Sequence, residues 1–192
     1  MTFLSPGPAL GLAATLRARR STRFQMFVTP EPLNAWYLES GLVDTVTPGR
    51  EDDVQEAMAV REAVCRLVTD RRLGEGSDQK ALDLVDAAAR KAPVTPQLTL
   101  TGRLTEATPE QASAVVREAV ELLSGPDMPL LKECGHLECT RVRIDRSRGM
   151  RRQWCGMESC GNRIKAAAYR ALTKSAPAAA TTNTSSVPPT PS

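Results

Sequence analysis

Two hexapeptides in the last third of the chain decide its fold: CGHLEC over residues 134–139 and CGMESC over residues 155–160. Each begins and ends with cysteine, and fifteen residues separate the two. Two cysteine pairs at about this separation are typical of a structural zinc site, because each short loop brings two thiolates to one tetrahedral ion. The predicted ligands of one structural Zn²⁺ per chain are Cys134, Cys139, Cys155 and Cys160.

Disulfide bonds are the weaker explanation of these cysteines. In the apolar segment over residues 2–16 the arginines follow the apolar part, which is the reverse of a secretory signal, and prolines interrupt it. We therefore expect a soluble, cytoplasmic protein in which cysteines stay reduced.

His136 lies inside the first hexapeptide, but four thiolates already close a structural site, so we expect the ring to point away from the metal or to contact phosphate. Cys65 is expected to be a buried, unreactive thiol in a helix.

The residues around the cysteines predict a small finger with a knuckle, a β-hairpin and a helix over residues 130–172. Val142 and Ile144 alternate with charged residues, as in a strand, and a turn over residues 146–149 lets residues 150–154 return as the second strand. After Cys160, residues 161–172 are rich in strong helix formers. This order of elements is typical of a treble-clef-like zinc finger.

Residues 1–125 are predicted to form a mainly helical domain. Apolar residues at intervals of three and four predict helices over 32–40, over 52–72, after Ser77, and from a capping box at 108–111 to Gly125. Alternating leucines around Gly102 indicate a small hairpin. Residues 175–192 contain no charge and are rich in proline, so they are expected to form a disordered tail.

Positive charge is concentrated in the finger. Residues 132–172 contain ten Lys or Arg and four acids, a net charge of +6, whereas the residues before 132 carry a net charge of −4. Such a block favours a polyanionic partner, although many charge runs are solvated surface. On the predicted last helix, Arg163 and Arg170 lie on the side opposite the apolar positions. The predicted nucleic-acid contacts are Arg163, Lys165 and Arg170, supported by Arg151 and Arg152.

Two motifs carry a resemblance to known families. The run RQWCGMESCGNR over residues 152–163 resembles the CGNR zinc-finger family, whose name spells residues 160–163. The segments at 15–19, 32–36 and 41–43 resemble the ABATE, or stress-induced transcription regulator, domain that usually precedes this finger. The resemblance implies a bacterial transcription regulator with the four cysteines as zinc ligands. The chain departs from the family at Arg141 and Arg143, where the family tends to have aromatic or aliphatic residues.

The sequence thus favours a DNA-binding transcription regulator whose finger contacts double-stranded DNA. Its N-terminal domain would sense a small-molecule effector or mediate self-association. The alternative is a zinc-stabilised interaction module that binds an acidic protein partner and no nucleic acid. We expect no membrane association. We also expect no enzymatic activity, because a closed four-thiolate site leaves zinc no position for a substrate.

Overall fold

In a computed structural model of the protein, which describes residues 7–108 and 115–175, the chain is mainly helical. The helices are α1 (Pro8–Ala13), α2 (Pro30–Glu39), α3 (Glu51–Leu73), α4 (Gln79–Ala89), α5 (Val116–Ser124) and α6 (Asn162–Ser175). The strands are β1 (Leu16–Arg17), β2 (Phe24–Gln25), β3 (Thr45–Val46), β4 (Gln97–Thr99), β5 (Gly102–Leu104), β6 (Glu106–Ala107), β7 (Leu131–Glu133) and β8 (Val142–Ile144). These elements confirm the predicted fold class, a helical domain followed by a small finger.

Helix α3 is the centre of the N-terminal domain. It has 23 residues, which corresponds to a length of about 35 Å. Helices α1, α2, α4 and α5 pack around it. Its buried apolar residues recur at intervals of three and four, as the sequence predicts: Val54, Ala57, Val60, Val64 and Leu67. None of the helices in the described ranges is long and apolar enough to span a membrane.

The strands form short pairs around this helical core. β1 pairs with β2, β4 with β5, and β7 with β8, all antiparallel, whereas β3 and β6 are parallel. The β4–β5 pair confirms the hairpin predicted around Gly102, with Gln97 opposite Leu104. Leu98 and Leu100 near its tip are fully exposed to solvent, so this hairpin protrudes from the domain.

The helix ends differ from the predictions by small shifts. α2 begins at Pro30, two residues earlier than predicted. The cap of α4 is Asp78 rather than Ser77, because the Asp78 carboxylate accepts a hydrogen bond from the amide of Ala81 at 2.9 Å. α5 ends before Gly125, as predicted. Most of the capping box at 108–111, and the tail beyond residue 175, lie outside the described residues.

The hairpin of the finger is built differently from the prediction. Strand β8 pairs with β7, which precedes the first cysteine, and Leu131 lies opposite Ile144. Residues 150–154 do not form the predicted second strand. The first cysteine loop closes the hairpin, since the amide of Cys134 donates to the carbonyl of Arg141 at 2.9 Å. Leu131 belongs to the main hydrophobic core, and the side chains of β8 pack against it, so the hairpin attaches the finger to the N-terminal domain.

Gly74 ends α3 in the left-handed conformation, with φ of +72°. We expect Gly74→Ala to lower the free energy of unfolding by about 1 kcal/mol, because a Cβ is unfavourable at this φ. The matched control is Gly76→Ala, two residues further on, where the backbone is not left-handed and a Cβ would meet open space. Urea unfolding of both variants measures the difference. Equal stability of the two variants would contradict the assigned role of Gly74.

Candidate metal centre and nucleic-acid interface

The four predicted ligands meet at one point. Their Sγ atoms all lie within 4.8 Å of one another, with Cys139 and Cys155 at 3.8 Å and Cys155 and Cys160 at 3.6 Å. A tetrahedron with Zn–S bonds of about 2.3 Å has edges of about 3.8 Å. All five cysteines of the chain are free thiols. Both the donor set and its geometry fit a zinc ion, and the four cysteines form a zinc-binding site.

Two loops deliver these sulfur atoms. The first spans residues 134–139 between β7 and β8, and it turns through a hydrogen bond from the amide of Cys139 to the carbonyl of His136 at 2.8 Å. The second ends in a π-helical turn, Met157–Gly161, that leads directly into α6. The amide of Gly135 donates to the carbonyl of Gln153 at 2.8 Å and ties the loops together. The ligands therefore fix the start of α6.

The four sulfurs are largely shielded from water and linked by hydrogen bonds. Cys134, Cys155 and Cys160 are buried, and Cys139 is half-buried. The amide of Cys155 donates to Sγ of Cys134 at 3.4 Å. Hydrogen bonds from the Cys139 thiol and from Ser159 lower the pKa of Cys155, whereas hydrogen bonding to Cys155 and burial raise the pKa of Cys139 and of Cys160. Metal binding needs deprotonated cysteines, so zinc must displace the protons that these thiols share.

Trp154 packs against the metal cluster and fixes its shape. A Cβ added to Gly161 would lie 2.7 Å from Sδ of Met157 and 3.3 Å from Cδ1 of Trp154. The flexible Met157 side chain can move away, but the Trp154 ring would also have to shift by a few tenths of an ångström, so Gly161 lets the indole pack closely against the start of α6. The indole is thus a structural wedge in the finger.

The two other candidates for metal or thiol chemistry have structural roles. Nδ1 of His136 accepts a hydrogen bond from the amide of Glu138 at 3.2 Å, and the ring is not part of the ligand cluster. Cys65 is half-buried in α3, where Nη2 of Arg19 lies 2.9 Å from its Sγ. Burial raises the pKa of Cys65 to about 11, so this thiol stays protonated at neutral pH.

Two arginines of the finger hold its backbone. Arg143 is buried, and its guanidinium donates to the carbonyl oxygens of Glu133 and Arg152. Its aliphatic stem occupies the interior position where the family tends to have an apolar residue. Arg152, one of the predicted DNA contacts, donates to the carbonyls of Trp154 at 3.1 Å and Cys155 at 2.9 Å. Its guanidinium therefore stabilises the second metal loop.

The other predicted contacts are exposed. Arg151 lies on the surface beside Gly149. Among residues 162–173 of α6, whose side chains the structure describes, only Ile164 is half-buried and the others are exposed, so the helix stands clear of the body of the protein. Arg163 and Arg170 project from one side of it, whereas Lys165 lies about 200° around the helix from Arg163. The structure thus brings the first two together and separates the third from them.

Two acidic residues of the finger have cationic partners, one in the N-terminal domain and one within the finger. Glu133 lies between two arginines of the N-terminal domain, at 2.5 Å from Arg20 and 2.6 Å from Arg72. Asp145 is buried, with Lys132 at 3.6 Å. Among the exposed arginines of the finger, Arg146 pairs with Asp127 at 2.5 Å. We call the contact of Glu133 with its two arginines the Glu133 clamp; nothing in the sequence pattern indicated it.

Two family models match the chain. Residues 7–126 match ABATE, described as "Putative stress-induced transcription regulator". Residues 131–172 match the CGNR zinc finger. Among curated proteins, none is detectably similar to this chain. The boundary between the two matched segments lies just before β7, where the connection from the helical domain enters the finger.

Zinc content gives the first test of the metal centre. We expect one zinc ion per chain in the reduced protein and almost none in Cys155→Ser, because three thiolates do not close the site. The finger of this variant should lose its structure, since zinc supplies on the order of 10 kcal/mol to folding of such units, while circular dichroism should show that the N-terminal helices persist. Cys65→Ser is the matched control and should retain its zinc. Elemental analysis showing metal-free, folded parent protein would contradict the assignment.

The Glu133 clamp predicts a stability effect without a change in zinc content. Glu133→Gln keeps the shape but removes the charge that both arginines share, and we expect a loss of about 2 kcal/mol of unfolding free energy. The control is Glu138→Gln, an exposed residue whose carboxylate accepts a hydrogen bond from the Ser21 hydroxyl at 3.0 Å and forms no ion pair within the described ranges. Urea unfolding with parallel zinc analysis measures both. If Glu133→Gln and Glu138→Gln unfold alike, the clamp does not stabilise the interface.

Proposed function

Because the chain belongs to the ABATE family and carries a CGNR zinc finger, we propose that it is a bacterial transcription regulator that binds double-stranded DNA in the cytoplasm. The finger makes the contact, and the ABATE domain senses an effector or mediates self-association. Zinc has a structural role in this proposal, because four thiolates occupy all of its positions and leave none for a substrate.

The accessibility of α6 is the observation that carries the proposal. The zinc loops fix the first turn of this helix, and its remaining turns are exposed. Arg163 and Arg170 are seven residues apart on one side, about 10 Å along the axis. Neither forms an ion pair with an acidic side chain of the described residues. A rigidly mounted helix with free guanidinium groups suits contact with phosphates or guanine edges in the major groove.

A specific feature of the same helix supports a second candidate, an acidic protein partner. Tyr169 and Leu172 are 68% and 70% exposed. Large apolar side chains on an exposed helix are typical of a contact with another protein, whereas DNA phosphates would make no apolar contact with them. The two candidates differ in how binding responds to salt and to non-specific DNA.

The double variant Arg163→Ala/Arg170→Ala tests DNA binding. We expect weaker binding to duplex DNA, with the salt slope reduced by about one for each arginine that contacts phosphate. If one arginine reads guanine, discrimination at that base pair should fall by about 1–3 kcal/mol. Alanine favours helix, so α6 and the zinc site should be retained. Fluorescence anisotropy across a range of salt concentrations measures the slope.

The control is Arg90→Ala, which removes an exposed arginine that caps the end of α4 and pairs with Asp86 at 3.6 Å. It changes the net charge by one without touching the finger. If the double variant keeps its zinc and binds DNA as tightly as the parent, α6 does not contact DNA, and the protein-partner candidate is favoured. A loss of binding free energy in Arg90→Ala half as large as in the double variant would show that only net charge matters.

A further inference from the structure

A cleft lies where the N-terminal domain meets the finger, beside the metal centre. It is formed by the end of β1 and the β1–β2 loop (residues 18–23) on one side and by both metal loops on the other, and encloses about 260 Å³. We call it the junction cleft. Its lining includes three arginines and three hydroxyl side chains: Arg17, Arg141 and Arg163, and Thr22, Thr140 and Ser159.

The three arginines face the junction cleft without a protein acceptor. In the described ranges, 7–108 and 115–175, none of them forms an ion pair or a side-chain hydrogen bond. Both Arg17 and Arg141 line the cleft, and burial and the charge of Arg141 lower the pKa of Arg17, while the sulfur of Cys139 opposes this shift. Like charges at one cleft favour an anion between them.

The acidic and sulfur groups that line the cleft accept no hydrogen bond from its arginines. Glu138 lines it, but its Oε2 accepts the hydroxyl of Ser21 at 3.0 Å. Cys139 and Cys160 also line it, and their thiolates belong to the metal centre. No cleft arginine donates to these sulfurs, unlike Arg19, which lies 2.9 Å from Sγ of Cys65. The guanidinium donors of the cleft are therefore available to a ligand.

The β1–β2 loop is held in a defined shape. Ala18 and Arg23 have φ of +48°, the left-handed region that side-chain-bearing residues rarely adopt. The carbonyl of Ala18 accepts from the amides of Ser21 at 2.9 Å and Arg23 at 3.0 Å. Strained conformations of this kind cluster at ligand sites, where the surrounding structure maintains them. The loop thus presents its side of the cleft in one arrangement.

We propose that the junction cleft binds a small phosphate-bearing ligand. Guanidinium groups match phosphate oxygens with paired hydrogen bonds, and the hydroxyl groups add further donors. The volume is slightly below the range of about 300–1,000 Å³ typical of small-molecule pockets, which fits a phosphate on a small organic body. The ligand bridges the two domains through Arg17 and Arg141. The ligand also binds the guanidinium of Arg163. If the DNA-binding function proposed above holds, the ligand therefore competes with DNA for that residue.

Binding of inorganic phosphate to the zinc-loaded full chain is the test, measured by titration calorimetry at constant ionic strength and without DNA. We expect saturable binding at one site per chain, and at least tenfold weaker binding in Arg17→Gln and in Arg141→Gln. The matched control is Arg23→Gln, which removes an exposed arginine of the same loop that does not line the cleft. It should bind phosphate as the parent does.

Three results would overturn the proposal. The first is no saturable phosphate binding by the parent. The second is an equal loss in Arg23→Gln, which would indicate a general charge effect. The third is faster zinc release from Arg17→Gln and Arg141→Gln, combined with no phosphate binding by the parent. That result would mean that the two arginines only offset the negative charge of the zinc thiolates. Because DNA is absent, failure of the DNA-binding proposal leaves this result unaffected.

Discussion

The convergence of four thiolates on one ion is the constraint on which the finger depends. A unit this small buries too little apolar surface to fold alone, so its loops are ordered by the bonds they make to a common centre. The first loop closes the β7–β8 hairpin, and the second turns into α6. The direction in which α6 leaves the body is thus set by the coordination geometry rather than by packing along the helix. A helix supported in this way can keep its whole length exposed and still be rigid at its base.

The metal centre is also connected to the helical domain. Glu133 directly precedes the first ligand, and its carboxylate lies between arginines of the β1–β2 loop and of α3. Leu131, two residues before Glu133, is part of the main core. One three-residue strand therefore carries an apolar anchor and an ionic one immediately before a zinc ligand. A movement of the first metal loop would act on both anchors, which gives the ABATE domain a direct mechanical link to the finger.

The sequence predicted the parts of this arrangement that depend on spacing. Cysteine intervals identified the four ligands, and apolar intervals identified α3. The partner of β8 was predicted wrongly, because the alternation of Val142 and Ile144 indicates a strand but not its neighbour. Residues 150–154 follow a plausible turn, yet their position is taken by loop contacts: Lys132 donates to the carbonyl of Met150, and Arg143 to that of Arg152. The closed cysteine loop makes β7 the nearer partner.

Charged residues show why the rest could not be predicted. Arg61 is 2% exposed, stacks over Phe27 at 5.6 Å and donates to Gln25 at 2.6 Å, although a charge count treats it like any surface arginine. Arg143 and Arg152 raise the apparent charge of the finger while their guanidinium groups bind backbone carbonyls. The availability of an arginine depends on which acceptors the folded chain brings to it, and those acceptors are distant in sequence. Arg143 and Arg152 keep their charge, but fewer guanidinium groups of the finger are available to a ligand than its composition indicates, and the available ones include those of α6 and the junction cleft.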